Sequence, residues 1–144
     1  MKIDTVMIAI SVARALAVVA YLVAPQSLSA EESHPHSHDA AVAAPHHHKI
    51  LLENEAVRVF ETRIAAGERT PVHSHSWPAT LYVVSWSDFV RYDPAGKVLL
   101  DSRTMTSKPQ PGAALWSEPV GPHYIHNVGT SELLVIAVEL KRRP

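Results

Sequence analysis

The sequence predicts an all-β domain in which two antiparallel sheets pack as a sandwich or barrel. From Ile50 onward the residues alternate with the period of β-strands, and β-branched and aromatic side chains are frequent. Turn signals built on Gly, Pro and Asp recur roughly every eight to twelve residues. No window beyond the N-terminal segment has a helical period. The stretch that follows residue 50 is long enough for one such domain.

The predicted strands follow one another with short turns between them. The first, "EAVRVFETRI", alternates and ends at the turn "AAGERTP", which is built around Gly67. "ATLYVVSWSDFVRY" comes next, and "DPAGK" then predicts a hairpin in which Pro94 sets the turn and Gly96 supplies a positive φ. The later strands fall in "KVLLDSRTM", "AALW", "HYIHNV" and "ELLVIAVEL", and the breaks between them are "KPQPG", "EPVGP" and "GTSE".

The N-terminal segment has the three regions of a secretory signal peptide. The charged region carries Lys2 and Arg14, which flank "IDTVMIAISVA". The apolar region is "ALAVVAYLVA", and the cleavage region "PQSLSA" ends at the small residue Ala30. Residues 1–30 therefore predict an exported protein, periplasmic or secreted, without stable membrane association after processing. The alternative is an uncleaved inner-membrane anchor, which would place Arg14 near the bilayer centre at a cost of roughly 2.5–3.5 kcal/mol.

Residues 31–49 read as a flexible, His-rich linker. "EESHPHSHDAAVAAPHHHK" has neither helical nor strand periodicity in its apolar residues. Its histidines are either metal scavengers or part of a polar tail, because imidazole binds Zn, Ni and Cu.

The composition limits the partners of the domain. Thirteen basic residues nearly cancel fourteen acidic ones, giving a net charge of −1 over 144 residues. No charged field indicates nucleic acid, so we expect a small-molecule partner. Because the chain has no cysteine, a bound metal would use nitrogen and oxygen ligands, and histidine is the obvious nitrogen donor.

Two histidine clusters have spacings that suit a metal site. His73 and His75 are two residues apart, so in a strand they point to one face at Cα positions about 6.5–7 Å apart. "PHYIHN" offers a third ligand from another strand. His123 and His126 differ by three positions, so they face opposite sides of a regular strand and only one of them can join the site.

These clusters resemble the two halves of the cupin signature. Gly67 lies six residues before His73, giving G(x)5HxH, and His123 lies four before Asn127, giving H(x)3N after "PVGP". "NEAVRVFETRIAAGERTPVHSH" with a terminal "VELK" is similar to small single-domain bacterial cupins linked to β-alanine degradation. The resemblance implies a cupin double-stranded β-helix barrel over residues 50–144. It also implies that His73, His75 and His123 bind the metal, and it assigns the motif frame to Gly67, Gly112, Pro119, Gly121 and Asn127.

The sequence departs from the cupin pattern at the glutamate of the first motif. That position falls at Ala79 or Thr80, and neither side chain can replace a carboxylate. Three outcomes stay open: an all-histidine facial site, a degenerate barrel with weak metal binding, or an acid supplied from elsewhere by Glu61, Glu118 or Glu139.

The sequence therefore leaves three hypotheses for function. The first is an iron-dependent, dioxygenase-type enzyme acting on a small organic substrate; the second is a non-catalytic metal- or ligand-binding cupin; the third is a metal-free barrel. The expected cofactor is a divalent ion, with Fe(II) as first choice and Zn, Mn, Ni and Cu as alternatives. A homodimer is the expected assembly. Four arginines either bind a substrate carboxylate or lie on solvated strand faces, and these are Arg58, Arg63, Arg91 and Arg103.

Overall fold

A computed structural model describes residues 38–141, and the predicted signal peptide and its membrane-anchor alternative lie outside them. Within the described residues, no helix is both long and apolar enough to cross a bilayer. Their elements are α1 (Ala40–Ala43), β1 (His48–Glu53), β2 (Val57–Ile64), β3 (His73–His75), β4 (Ala79–Ser85), β5 (Phe89–Tyr92), β6 (Val98–Asp101), a 3-10 helix (Ser102–Thr104), β7 (Ala114–Ser117), β8 (Val120–Asn127) and β9 (Leu133–Leu140).

The strands form two antiparallel sheets, which confirms the predicted fold class. The five-stranded sheet has the order β1-β2-β9-β4-β7, and the four-stranded sheet has the order β3-β8-β5-β6. Every paired strand runs antiparallel to its neighbour.

The core lies between the two sheets. Ile64 and Leu133 face each other across β2 and β9, and they pack with Phe89 and Ile125 from the other sheet. Burial of each such apolar side chain contributes roughly 1.5–3 kcal/mol. The alternation in β2 points Phe60 and Ile64 inward, as in any strand with one buried face.

The predicted turns around Gly67 and Gly96 are present. Gly67 has φ +76° and donates its N–H to the carbonyl of Asn127, which ties the first motif to the second. Gly96 has φ +88° and lies in the hairpin between β5 and β6. A positive φ of this size favours glycine, because a side chain there would strain the backbone.

Residues 38–49, for which the sequence predicts a flexible linker, are instead folded onto the barrel. The Asp39 carboxylate accepts a hydrogen bond from the N–H of Ala41 and caps α1, and Ala40 and Ala44 are fully buried. His48 begins β1, two residues before the predicted domain start. The sequence did not predict this helix, because the four residues of α1 are too few to show a helical period. Residues 31–37 of the predicted linker lie outside the described part of the chain.

Two of the predicted strands are shorter than the sequence suggests. "ATLYVVSWSDFVRY" divides into β4 and β5, and "KVLLDSRTM" ends at Asp101. The cause is side-chain competition for backbone groups. The Ser102 hydroxyl accepts a hydrogen bond from the N–H of Phe89, and the Asp101 carboxylate accepts one from the N–H of Arg103, which begins the 3-10 helix.

Candidate metal centre

The structure brings the three predicted ligands together inside the barrel. His73 and His75 share β3, and their ring centroids are 5.2 Å apart. His73 pairs with His123 across β3 and β8, and these rings are 4.4 Å apart. His126 lies on the other face of β8, where its backbone bridges to Arg69. The choice of His123 over His126 follows the alternation of the strand.

A fourth histidine, which the sequence did not indicate as a ligand, completes the group. The His48 ring lies 4.6 Å from that of His73 and 5.5 Å from that of His75. One ring nitrogen from each of these three residues lies within 4.8 Å of the others, so the set could hold a metal ion. We call His48, His73, His75 and His123 the histidine cluster.

Backbone carbonyls fix the tautomers of His73 and His123. Nδ1 of His73 lies 2.8 Å from the Pro71 carbonyl, and Nδ1 of His123 lies 2.8 Å from the Gly121 carbonyl. A carbonyl only accepts hydrogen bonds, so both Nδ1 atoms carry the proton and both Nε2 atoms keep a lone pair. Nε2 of His73 is buried without a hydrogen-bond partner among the described residues.

The other two members of the cluster are oriented in the same way. Nδ1 of His48 lies 3.2 Å from the Ala44 carbonyl, and Nδ1 of His75 lies 3.0 Å from the Glu139 carboxylate. Both acceptors leave Nε2 as the free ligand atom. Metal-binding histidines typically donate their other nitrogen to a carbonyl or carboxylate in this manner.

Burial keeps most of the cluster neutral. Desolvation is the largest cause that lowers the pKa of His48 to about 2, that of His73 to about 4 and that of His123 to about 3. The ordinary value is 6.5. Neutral imidazole is the form that binds metals, so protons do not compete for these nitrogens near neutral pH.

The structure distinguishes among the acids that could replace the missing glutamate. Ala79 is buried in the barrel and Thr80 is exposed, so the motif position contributes no acid. Glu118 is exposed and accepts a hydrogen bond from Trp116, and Glu61 pairs with Arg63. Glu139 is the acid that reaches the site, but it contacts Nδ1 of His75 and so stands behind a ligand.

Glu139 belongs to a buried charged network that extends to the N-terminal segment. The Arg58 side chain donates to Glu139 at 2.8 Å and makes two hydrogen bonds of 2.9 Å to the carboxylate of Asp39. Burial alone would lower the pKa of Arg58, but the bonds to Asp39 and the charge of Glu139 raise it. Trp77 covers the guanidinium at 4.9 Å from its ring centroid. Through Arg58, Asp39 connects the segment before β1 to Glu139, which orients the ring of His75.

Asn127 joins the motifs but takes no part in the cluster. Its side-chain amide donates to the carbonyls of Ile64 at 2.9 Å and Ser131 at 2.8 Å, and its side-chain oxygen accepts from the Ser87 hydroxyl at 2.8 Å. It is fully buried. Its role is therefore structural.

The histidine cluster lines a cavity of about 280 Å³ between the sheets. This volume is near the lower end of small-molecule sites, which run from roughly 300 to 1,000 Å³. The remaining wall is mostly apolar, and it includes Phe60, Trp77, Leu81, Phe89, Ile125 and Val135.

His48, His73 and His75 fit a divalent transition metal. Imidazole ligands suit Zn, Cu, Fe and Ni, whereas Mg and Ca prefer oxygen ligands. The partnerless Nε2 of His73 supports this assignment, because a buried polar atom without a partner is costly unless something binds it.

Comparison with known proteins identifies the fold. No family model and no curated protein matches the sequence. A cupin domain protein from Bordetella pertussis is similar in structure, with a TM-score of 0.53 and 22% identity over 66% of this chain and 92% of that one. A double-stranded β-helix protein from Klebsiella pneumoniae has a TM-score of 0.45 and 18% identity, over 64% of this chain and 73% of that one. A cupin from Methanocaldococcus jannaschii has a TM-score of 0.46 and 14% identity, over 65% and 77%.

The likeness to the Bordetella pertussis domain, together with the two antiparallel sheets, shows the fold. The chain has the cupin double-stranded β-helix fold, and inside that fold it carries three histidines, His48, His73 and His75, that could bind a metal ion.

Proposed function

We propose that the protein is a metal-dependent cupin that holds one divalent ion at His48, His73, His75 and His123. The observation that carries the proposal is the common orientation of the cluster, in which each Nδ1 faces an acceptor and each Nε2 is left free. His48 occupies the role of the fourth ligand that the cupin pattern gives to glutamate.

The cavity beside the cluster favours an enzyme acting on a small organic substrate. A bound Fe(II) ion would supply Lewis acidity and oxygen activation. The apolar wall excludes water from the substrate and strengthens electrostatic contacts inside the barrel. Glu139 orients the ring of His75, and the carbonyls of Pro71 and Gly121 orient those of His73 and His123. An iron-dependent, dioxygenase-type reaction is the activity that we propose.

The number of histidines favours a second candidate, a metal-binding cupin without turnover. Four protein ligands are typical of closed structural metal sites, whereas catalytic zinc sites keep one position open. In this version the His-rich residues before α1 would deliver ions to the cluster.

Metal analysis of the full chain tests the site. The background variant carries His34→Ala, His36→Ala and His46→Ala, so that these three histidines before β1 do not contribute metal. Truncation up to residue 48 is unsuitable, because it would remove Asp39 and His48. We expect one equivalent of metal in this background and its loss in His73→Ala. Stoichiometric metal in both proteins, or in neither, would contradict the proposed site.

Oxygen uptake separates the enzyme from the binder. The iron-loaded protein is assayed with thiols, β-diketones and small acids, and β-alanine is included because the sequence resembles cupins linked to its degradation. Uptake with one substrate class, abolished by His73→Ala, supports the enzyme. Full iron occupancy with no uptake across the panel favours the binder.

We also propose that the protein is exported. The order of charged, apolar and small residues over positions 1–30 supports this. Cleavage after Ala30 would leave Asp39 and His48 on the mature chain. Mass spectrometry of the protein from its own cells should give a mature N-terminus at Glu31, and an intact N-terminus would support the membrane anchor.

A homodimer is the assembly that we propose. β1 is an edge strand, and its Ile50, Leu51 and Leu52 are 43%, 49% and 50% exposed. Light scattering should give twice the monomer mass, and Leu51→Lys should reduce it if this edge forms the contact.

A further inference from the structure

Arg91 places a positive charge beside the histidine cluster. Arg91 lies on β5, opposite Ile125 of β8, and its side chain lines the cavity. Ile125 and His123 are two residues apart on β8, so both face the barrel interior. The guanidinium therefore lies on the inner face of the four-stranded sheet, diagonal to a cluster histidine. Its charge also contributes to the lowered pKa values of His73 and His123.

Arg91 differs from the other candidate arginines in having no acidic partner among residues 38–141. Arg58, Arg63 and Arg103 each form ion pairs with carboxylates. Nε of Arg91 is buried without a hydrogen-bond partner among the described residues, and burial lowers the pKa of this guanidinium. None of the described residues that line the cavity is Asp or Glu. A guanidinium stays charged at any ordinary pH, so the cavity holds an uncompensated positive charge.

We propose that Arg91 binds the carboxylate of a small organic anion whose apolar part fills the cavity beside the histidine cluster. This assignment names the substrate class of the proposed metal site and rests on that function. A planar guanidinium matches a carboxylate through two parallel hydrogen bonds. The apolar wall accommodates the rest of the molecule, and the cavity volume restricts it to a small one.

Matched charged and neutral probes test the assignment. The full chain with the His34→Ala, His36→Ala and His46→Ala background is loaded with Zn²⁺ and titrated calorimetrically with hexanoate and with hexanamide. We expect hexanoate to bind on the order of tenfold tighter, because the amide lacks the charge that Arg91 would meet. Arg91→Gln should abolish this preference, and Arg103→Gln, an exposed control, should retain it. Inorganic phosphate should not displace hexanoate at equal concentration.

Several results would overturn the carboxylate site. These are equal binding of the two probes, a preference that persists in Arg91→Gln, or displacement of hexanoate by equimolar phosphate. A persistent preference would mean that the metal takes the carboxylate. The zinc content of the same samples reports separately on the metal site. If no zinc binds, the proposed metal function fails, and loss of preference in metal-free Arg91→Gln still supports the carboxylate site.

The stability of the ligand-free protein gives an independent readout. Arg91→Met removes an unpaired charge and keeps much of the side-chain volume, so its Tm should equal or exceed that of the parent. A Tm clearly below the parent value would show that the guanidinium already has a partner within the protein, and would overturn the assignment.

Discussion

Glu139 lies directly opposite Ala79 across the β4–β9 pair. Ala79 is one of the two positions, with Thr80, at which the cupin pattern has its glutamate, so an acid is absent from this part of β4 and present on the neighbouring β9. From β9 the carboxylate reaches Nδ1 of His75, and it is fully buried there. Glu139 therefore hydrogen-bonds to a candidate metal ligand, His75. In the cupin pattern the acid would itself be a metal ligand.

Glu139→Gln should weaken metal binding without abolishing it. Glutamine keeps a hydrogen-bond acceptor for His75 but removes the charge that makes its imidazole more basic. Loss of such a supporting group typically reduces metal affinity on the order of 10–100-fold. A competition titration with a zinc chelator measures the change. Glu61→Gln, on the exposed side of β2, is the control, and equal affinities in the two variants would show that Glu139 does not act on the site.

His48→Ala should lower metal affinity while leaving the barrel folded. His48 supplies one of the three ring nitrogens that lie within 4.8 Å of one another, and those of His73 and His75 remain in the variant. His46→Ala changes an exposed neighbour and should have no effect. Zinc affinity measured by the same competition would contradict the four-histidine site if the two variants behaved alike.

Arg58→Met should destabilise the fold strongly. It leaves the buried carboxylates of Asp39 and Glu139 without a counter-charge, and such a change typically costs about 3–5 kcal/mol. The free energy of unfolding in urea measures this loss. Arg63→Met breaks only exposed ion pairs, which solvent screens, so it should cost far less than Arg58→Met. Similar losses in both variants would mean that the buried network does not stabilise the fold.

The metal-free protein should lose stability in acid. The lowered pKa values of His48, His73 and His123 mean that the unfolded chain binds more protons than the folded one below pH 6.5. Their stabilisation is complete above about pH 6.5 and is lost as the pH falls through their folded values, at about 1.4 kcal/mol per histidine per pH unit. Urea midpoints at pH 7.5, 6 and 5 measure the slope, which His48→Ala should reduce and His46→Ala should not. A flat profile would contradict the buried, neutral state of these rings.

The parts of the fold that the sequence could predict are those with local signals. The alternation of apolar and polar residues in a strand can be seen in any short stretch of sequence. Glycines such as Gly67 and Gly96 predict turns because they readily adopt a positive φ. The strand and turn signals depend on residues a few positions apart in the chain. The set of His73, His75 and His123, which line one cavity, was instead implied by the resemblance of two distant motifs to the cupin signature.

The positions of His48 and Glu139 depend on pairing between strands, which a short stretch of sequence does not show. His48 is the last of three consecutive histidines, and its place is set by pairing with Thr62 of β2. Glu139 was undecided because "ELLVIAVEL" is apolar on both faces, so alternation could not tell which side is buried. The unpaired state of Arg91 likewise follows only from the three-dimensional arrangement.

The position of β9 has a consequence for how the chain folds. β9 is the last strand in sequence, yet it is the central strand of its sheet and alone joins the β1–β2 pair to the β4–β7 pair. Pairings between distant segments form slowly, on the order of milliseconds to seconds. A nascent chain that ends before β9 lacks the strand that joins these two pairs of strands. It also lacks Glu139, which hydrogen-bonds to His75. The candidate metal pocket is therefore complete only after the ribosome has delivered β9.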